Sequence, residues 1–101
     1  MPKTSKKLNK IEHSWTLLTN HGRILLLISK KPTILIRELA SLAGVTERRA
    51  QSIVSDLEDE KYIIKIKDGR QNYYSVNKKQ PFRHPAETGH NVGELIKIFF
   101  K

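Results

Sequence analysis

Cysteine is absent from the 101 residues. That absence excludes disulfides, thiolate nucleophiles and cysteine-based zinc sites, and with them redox or Cys-based metal sensing. Long apolar runs are also missing. No stretch approaches the roughly 18 to 20 consecutive apolar residues that a membrane span needs. The basic first residues, Met1 to Lys10, are not followed by the apolar core of a signal peptide. A soluble, cytoplasmic chain without a membrane partner is expected. Acidic residues are outnumbered, with 10 Asp and Glu against 19 Lys and Arg, leaving a net charge of +9. An excess of this sign and size suits a chain that works against a polyanion such as nucleic acid.

Catalytic groupings are lacking as well. No Ser, His and Asp set, Gly-rich phosphate loop or acid pair is recognisable, so the chain reads as a binding protein and not an enzyme. The four histidines, His13, His21, His84 and His90, are scattered without carboxylates at ligand spacing, and neither a metal nor another cofactor is expected. Apolar residues make up 38%, enough for one small core in one compact domain. A chain with so small a core gains by burying a further apolar face against a partner.

The residues present divide the chain in three. Residues 1–13 carry Lys3, Lys6, Lys7 and Lys10 with few apolar positions, the composition of a flexible basic arm. Residues 14–77 hold the patterned part, and residues 78–101 a linker and a last helix expected to support dimerisation. In the patterned part, Thr19 or Asn20 is placed to cap a helix across His21 to Ser29. Ile24 to Ile28 are apolar in succession, so this helix packs on more than one side. Trp15 in the segment before it is read as core. Pro32 ends the helix, and Thr33 to Leu35 suit one short strand. Ile36, Leu39, Ala40 and Ala43 then recur at helical spacing, with Gly44 where a C-cap glycine belongs. Thr46 caps a third helix running to about Glu60, whose buried stripe is Ala50, Ile53, Val54 and Leu57.

Beyond it the period shortens to two. Tyr62, Ile64 and Ile66 are expected on one face of a strand and Ile63, Lys65 and Lys67 on the other. Asp68-Gly69 opens a five-residue connection with Arg70 at its tip, and Tyr73 to Val76 returns as the second strand of a hairpin. Tyr73 and Tyr74, which as aromatics can stack on bases, are read as core. The linker Lys78 to Pro85 leads to a helix capped by Asn91, with Glu94 completing a capping box and Val92, Leu95, Ile96 and Phe99 as its buried stripe. The fold class is therefore mainly α with a small β-hairpin (α+β), laid out as a winged helix-turn-helix with an additional C-terminal helix.

Thr33 to Val76, about half of the chain, resembles winged helix-turn-helix regulators of the MarR and ArsR type. The likeness is carried by Ile36-Arg37-Glu38-Leu39-Ala40, by Gly44-Val45-Thr46 and by Leu57-Glu58-Asp59-Glu60-Lys61-Tyr62-Ile63. It implies a sequence-specific regulator of transcription that places its third helix in the major groove of double-stranded DNA. Steps of about 100° from Ala50 put Arg48, Ser52, Ser55 and Asp59 opposite the buried stripe, with Arg49 and Gln51 on the flanks. Arg48 and Arg49 suit guanine, Gln51 suits adenine, and Ser52 suits base or phosphate. Thr46 opens a helix N-terminus able to face a phosphate. Lys65, Lys67 and Arg70 would contact the backbone or minor groove from the wing.

Each of these has a blander reading. Arg48 and Arg49 also suit a solvated face paired with nearby carboxylates, and the wing lysines also suit protection of a strand edge. Leu25 and Leu26, with Ile98 and Phe100, are expected to remain after the core is filled and, together with the neighbouring Phe99, to form a homodimer, as terminal helices do in the related regulators. Two other functions stay open: a winged-helix module that docks proteins, and a non-specific nucleic-acid binder. Nothing in the sequence marks a small-molecule effector.

Overall fold

The computed structural model describes residues 15–100; the basic arm 1–13 lies outside the described residues. Four helices and one hairpin follow in the order α1 (Asn20–Lys30), α2 (Ile36–Ala43), α3 (Glu47–Asp59), β1 (Ile63–Asp68), β2 (Gln71–Val76) and α4 (Val92–Phe99), with a short 3₁₀ turn at Pro85–Glu87 before α4. Among the described residues no helix is long and apolar enough to cross a membrane.

Thr19 starts α1 by accepting a hydrogen bond from the backbone N–H of Gly22 through its hydroxyl, at 3.1 Å. Arg23 then ties down the chain before the helix, donating to Asn20 Oδ1 at 2.7 Å and to the carbonyl of Leu18 at 3.1 Å. Helix α2 begins at Leu35, whose side chain can accept nothing. Glu38 substitutes by reaching back to the Leu35 backbone N–H at 3.1 Å, which satisfies one orphan donor of the first turn. Gly44 ends α2 at φ 75°, a left-handed conformation that only glycine adopts at no steric cost.

Ile24, Ile28, Leu39, Ile53, Val54, Ile63 and Val92 are fully buried and join α1, α2, α3, the hairpin base and α4 in one core. Helix α1 sits at its centre, packed on α2, α3 and β2. This is why its apolar residues run on without a polar gap. Leu25 and Leu26 are spent here, at 4% and 7% exposure, and are corrected from a partner-facing surface to the chain's own core. A helix enclosed on several sides consumes apolar positions that a one-stripe count leaves over.

Thr33 to Leu35 form no strand. Beside this segment, a backbone hydrogen bond runs from Tyr74 N–H to the Pro32 carbonyl at 3.0 Å, and Ile34 is buried in the same core as Ile63 and Tyr74. Pro32 contributes only that acceptor, since proline has no N–H to extend a ladder. The connection between β1 and β2 is also shorter than five residues. Asp68 pairs with Gln71, leaving Gly69 and Arg70 as a two-residue turn. Gly69 takes φ 65°, and glycine at the first central position is the requirement of the type II′ hairpin turn.

The hairpin's faces are the reverse of the expected ones. Ile63 and Tyr74 are buried, whereas Ile64 is 57% exposed. The chain leaves α3 through Lys61 at φ 69°, with Lys61 N–H bonded to the Glu58 carbonyl and Tyr62 N–H to the Leu57 carbonyl. This paired C-cap turns the backbone at Tyr62, so Tyr62 and Ile63 are buried in succession and the alternation starts from Ile63. Lys65 and Lys67 thus extend the packed face beyond the core, and Ile64, Ile66 and Tyr73 form the outer one. Trp15, 72% exposed, is not core: it belongs to no regular element that could hold its ring against the interior.

The C-terminal segment is stitched back onto the domain. Val92 N–H donates to the Gln80 carbonyl and Gly93 N–H to the Lys78 carbonyl, at 3.0 and 2.8 Å. A Cβ at position 93 would come 3.1 Å from that Lys78 oxygen, so glycine permits the approach. Asn91 and Glu94 form the expected capping box. Val92 and Ile96 are buried, Phe100 packs on the core edge beneath Lys30, and Ile98 and Phe99 face outward at 72% and 52% exposure. Phe99 therefore leaves the buried stripe.

Candidate nucleic-acid interface

Thr46 fixes where the candidate reading helix begins: its hydroxyl accepts from the Arg49 backbone N–H at 3.0 Å. Thirteen residues follow without interruption. One face is fully committed, with Ala50, Ile53, Val54 and Leu57 in the core. Arg48, Arg49, Gln51, Ser52 and Ser55 are all exposed, as the helical spacing requires. Among the described residues neither Arg48 nor Arg49 is engaged in an ion pair. Their guanidinium groups keep the full planar set of N–H donors that matches guanine or phosphate.

Charge is unevenly spread along this helix. Glu47 opens the first turn, where a carboxylate is favoured by the helix dipole, and the two arginines follow at once. Asp56, Glu58, Asp59 and the C-cap residue Glu60 close the other end. The alternative in which the arginines pair with nearby acids is disfavoured by this separation, since α3 carries its other carboxylates two turns away. Asp56 is taken up by His21 instead, Nε2 to Oδ2 at 2.8 Å, across to the start of α1.

The wing adds three exposed basic groups, Lys65, Lys67 and Arg70. Arg70 occupies the second position of the turn, at the tip. The cross-strand partners are Lys65 with Tyr74 and Lys67 with Asn72, so no carboxylate stands opposite either lysine. Arg37 on α2 is a further exposed cation, held to no acid among the described residues. Lys31 pairs with Glu38 at 3.2 Å. Glu38 is held below the ordinary carboxylate range, first by the Leu35 N–H and then by Lys31.

One feature has no local signature in the sequence. At its acidic end α3 borders a groove of about 560 Å³ whose walls come from the segment before α1, α1 itself, α3, Phe82–Arg83, the 3₁₀ turn and α4. Linear periodicity registers each wall as ordinary packing, and only the folded chain brings them together.

Residues 17–64 match the family described as winged helix-turn-helix DNA-binding; the match runs through α1, α2 and α3 and into β1. Among solved structures, Lactococcus lactis ZitR in complex with DNA is similar over 75% of this chain and 53% of its own, at 18% identity and a TM-score of 0.52. A second structure of that protein, described as a zinc-responsive MarR family member, is similar over 69% of this chain and 50% of its own, at 15% identity and a TM-score of 0.49. The chain spans about half the length of these structures, and at such identities the likeness concerns the fold. No curated protein matches the sequence significantly. The helices, their order and the hairpin that follows agree with that match, and the fold is a winged helix-turn-helix.

Proposed function

We propose that the protein is a transcription regulator that binds double-stranded DNA sequence-specifically in the cytoplasm, with the N-terminal half of α3 in the major groove and the wing on the backbone or minor groove. The observation that carries this reading is the unpaired, exposed set Arg48, Arg49, Gln51 and Ser52 on one side of a helix whose other side is locked into the core. A rigid helix presents such donors without the entropy of ordering a loop. Arg48, Arg49 and Gln51 read bases, Thr46, Ser52 and Ser55 serve base or phosphate, and Lys65, Lys67 and Arg70 neutralise phosphates. Supporting it are the net charge of +9 and the match over residues 17–64.

The working unit in this reading is a homodimer, because Ile98 and Phe99 on α4 present apolar surface that nothing in the described chain covers. A two-fold pair would set two copies of α3 against half-sites about one helical turn apart. Selection from a random duplex library tests both parts together. The expected product is an inverted repeat, bound with an affinity that falls steeply with salt. Enrichment of no sequence, with binding to all duplexes alike, would reduce the protein to a non-specific binder.

A further inference from the structure

The groove beside the acidic end of α3 combines two chemistries. Its walls are apolar, from Leu18, Leu25, Leu57 and Leu95 together with the aromatic side chains Tyr62 and Phe82. Its rim carries four carboxylates, Asp56, Asp59, Glu60 and Glu87, against Arg83 and His21. Asp56 is engaged by His21, and Glu60 stands 3.9 Å from Arg83 Nη2. Asp59 and Glu87 make no ion pair among the described residues.

This local excess of negative charge opposes that of the whole chain, which carries +9. The volume of about 560 Å³ falls within the range of roughly 300 to 1,000 Å³ typical of small-ligand sites. Apolar walls reward an apolar body, and two uncompensated carboxylates reward a positive charge at its edge. Aromatic side chains beside a partly desolvated cation add to both. An anionic ligand would meet the rim's repulsion, and a polar cation would leave the leucine walls uncovered.

We propose that this groove is a binding site for a lipophilic organic cation, a molecule with an apolar body and one positive group. The occupant rests on Leu57 and against Asp59, both on the helix that carries Arg48 and Arg49 at its other end. Binding requires no DNA, so the site stands or falls separately from the duplex-binding reading.

The test uses two probes of nearly the same shape and opposite charge, tetraphenylphosphonium and tetraphenylborate, titrated calorimetrically into the full chain. The phosphonium is expected to bind saturably at one per chain. The borate, which the overall charge would attract, is expected to bind at least tenfold more weakly. The double variant Asp59→Asn, Glu87→Gln changes two exposed side chains. It should retain its circular dichroism while its affinity for the phosphonium falls about tenfold. Borate binding as tight as phosphonium, undiminished cation affinity in the double variant, or no saturable cation binding would each overturn the proposal. So would a sedimenting dimer that takes up no cation, since a second copy would then fill the groove.

Discussion

The two ends of α3 share one helix and one buried stripe, yet their exposed chemistry is opposite. Thr46 to Ser52 presents arginines, amide and hydroxyls to open solvent, while Asp56 to Glu60 presents carboxylates, two of them spoken for by His21 and Arg83. The difference shows that net charge describes a chain poorly: a protein of +9 contains one surface suited to phosphate and another that repels it. Repulsion at one end helps orient a duplex toward the other.

The comparison can be broken most severely through what both ends share. Ile53→Ala removes a fully buried side chain beneath the middle of α3 and should cost about 2 to 5 kcal/mol. Urea unfolding followed by circular dichroism measures it. Loss of that size is a large part of the ~5 to 15 kcal/mol that holds a domain together. Retention of full stability would mean that α3 is not braced by the core.

Separating the two ends gives the next effect. Arg48→Ala should weaken duplex binding by about 1 to 3 kcal/mol, read by fluorescence anisotropy at fixed salt. Asp59→Asn at the other end should leave binding unchanged or slightly tighter, and equal losses from both substitutions would erase the distinction.

The two termini of the helix can also be compared as caps. Thr46→Ala deletes the acceptor for the Arg49 N–H and should lower stability by about 1 kcal/mol. Lys61→Gly should act oppositely, raising stability by up to about 1 kcal/mol, because lysine is held at φ 69° there and glycine escapes that cost. Thermal unfolding of the pair gives both signs at once.

The smallest effect concerns acid. Glu94 is held below the ordinary carboxylate value of 4.5, first by the hydrogen bond to His90 and then by the Asn91 N–H. Its lowered value in the folded chain contributes stability that is present above that ordinary value and is lost as pH falls through the lowered one. Glu94→Gln should therefore flatten the decline of unfolding temperature below pH 4.5. An unchanged slope would show that Glu94 does not contribute to the decline.

Much of this architecture is legible in the sequence where a residue type has one physical use. Thr19, Thr46 and Asn91 announce caps, Gly44 announces the end of α2, and the stripe Ala50, Ile53, Val54, Leu57 announces the buried side of α3 and so the exposed one. The sequence is silent where the outcome depends on chain direction or on neighbours. A lysine in the left-handed position after α3 carries no glycine signal, so the bend at Tyr62 was hidden and the hairpin's two faces were exchanged. The fate of Leu25 and Leu26 depended on how many elements surround α1, which no period reports. The groove was illegible for the same reason.

Gln80 gives the molecule a mechanical joint. Its side-chain amide donates to the Glu60 carbonyl at the end of α3, at 2.9 Å, while its own carbonyl receives the Val92 N–H at the start of α4. One residue thus couples the helix proposed to lie in DNA to the helix proposed to meet a second subunit. Removing that amide, as in Gln80→Ala, would cut the direct tie between the end of α3 and the segment that starts α4 while leaving the backbone bond to Val92 in place.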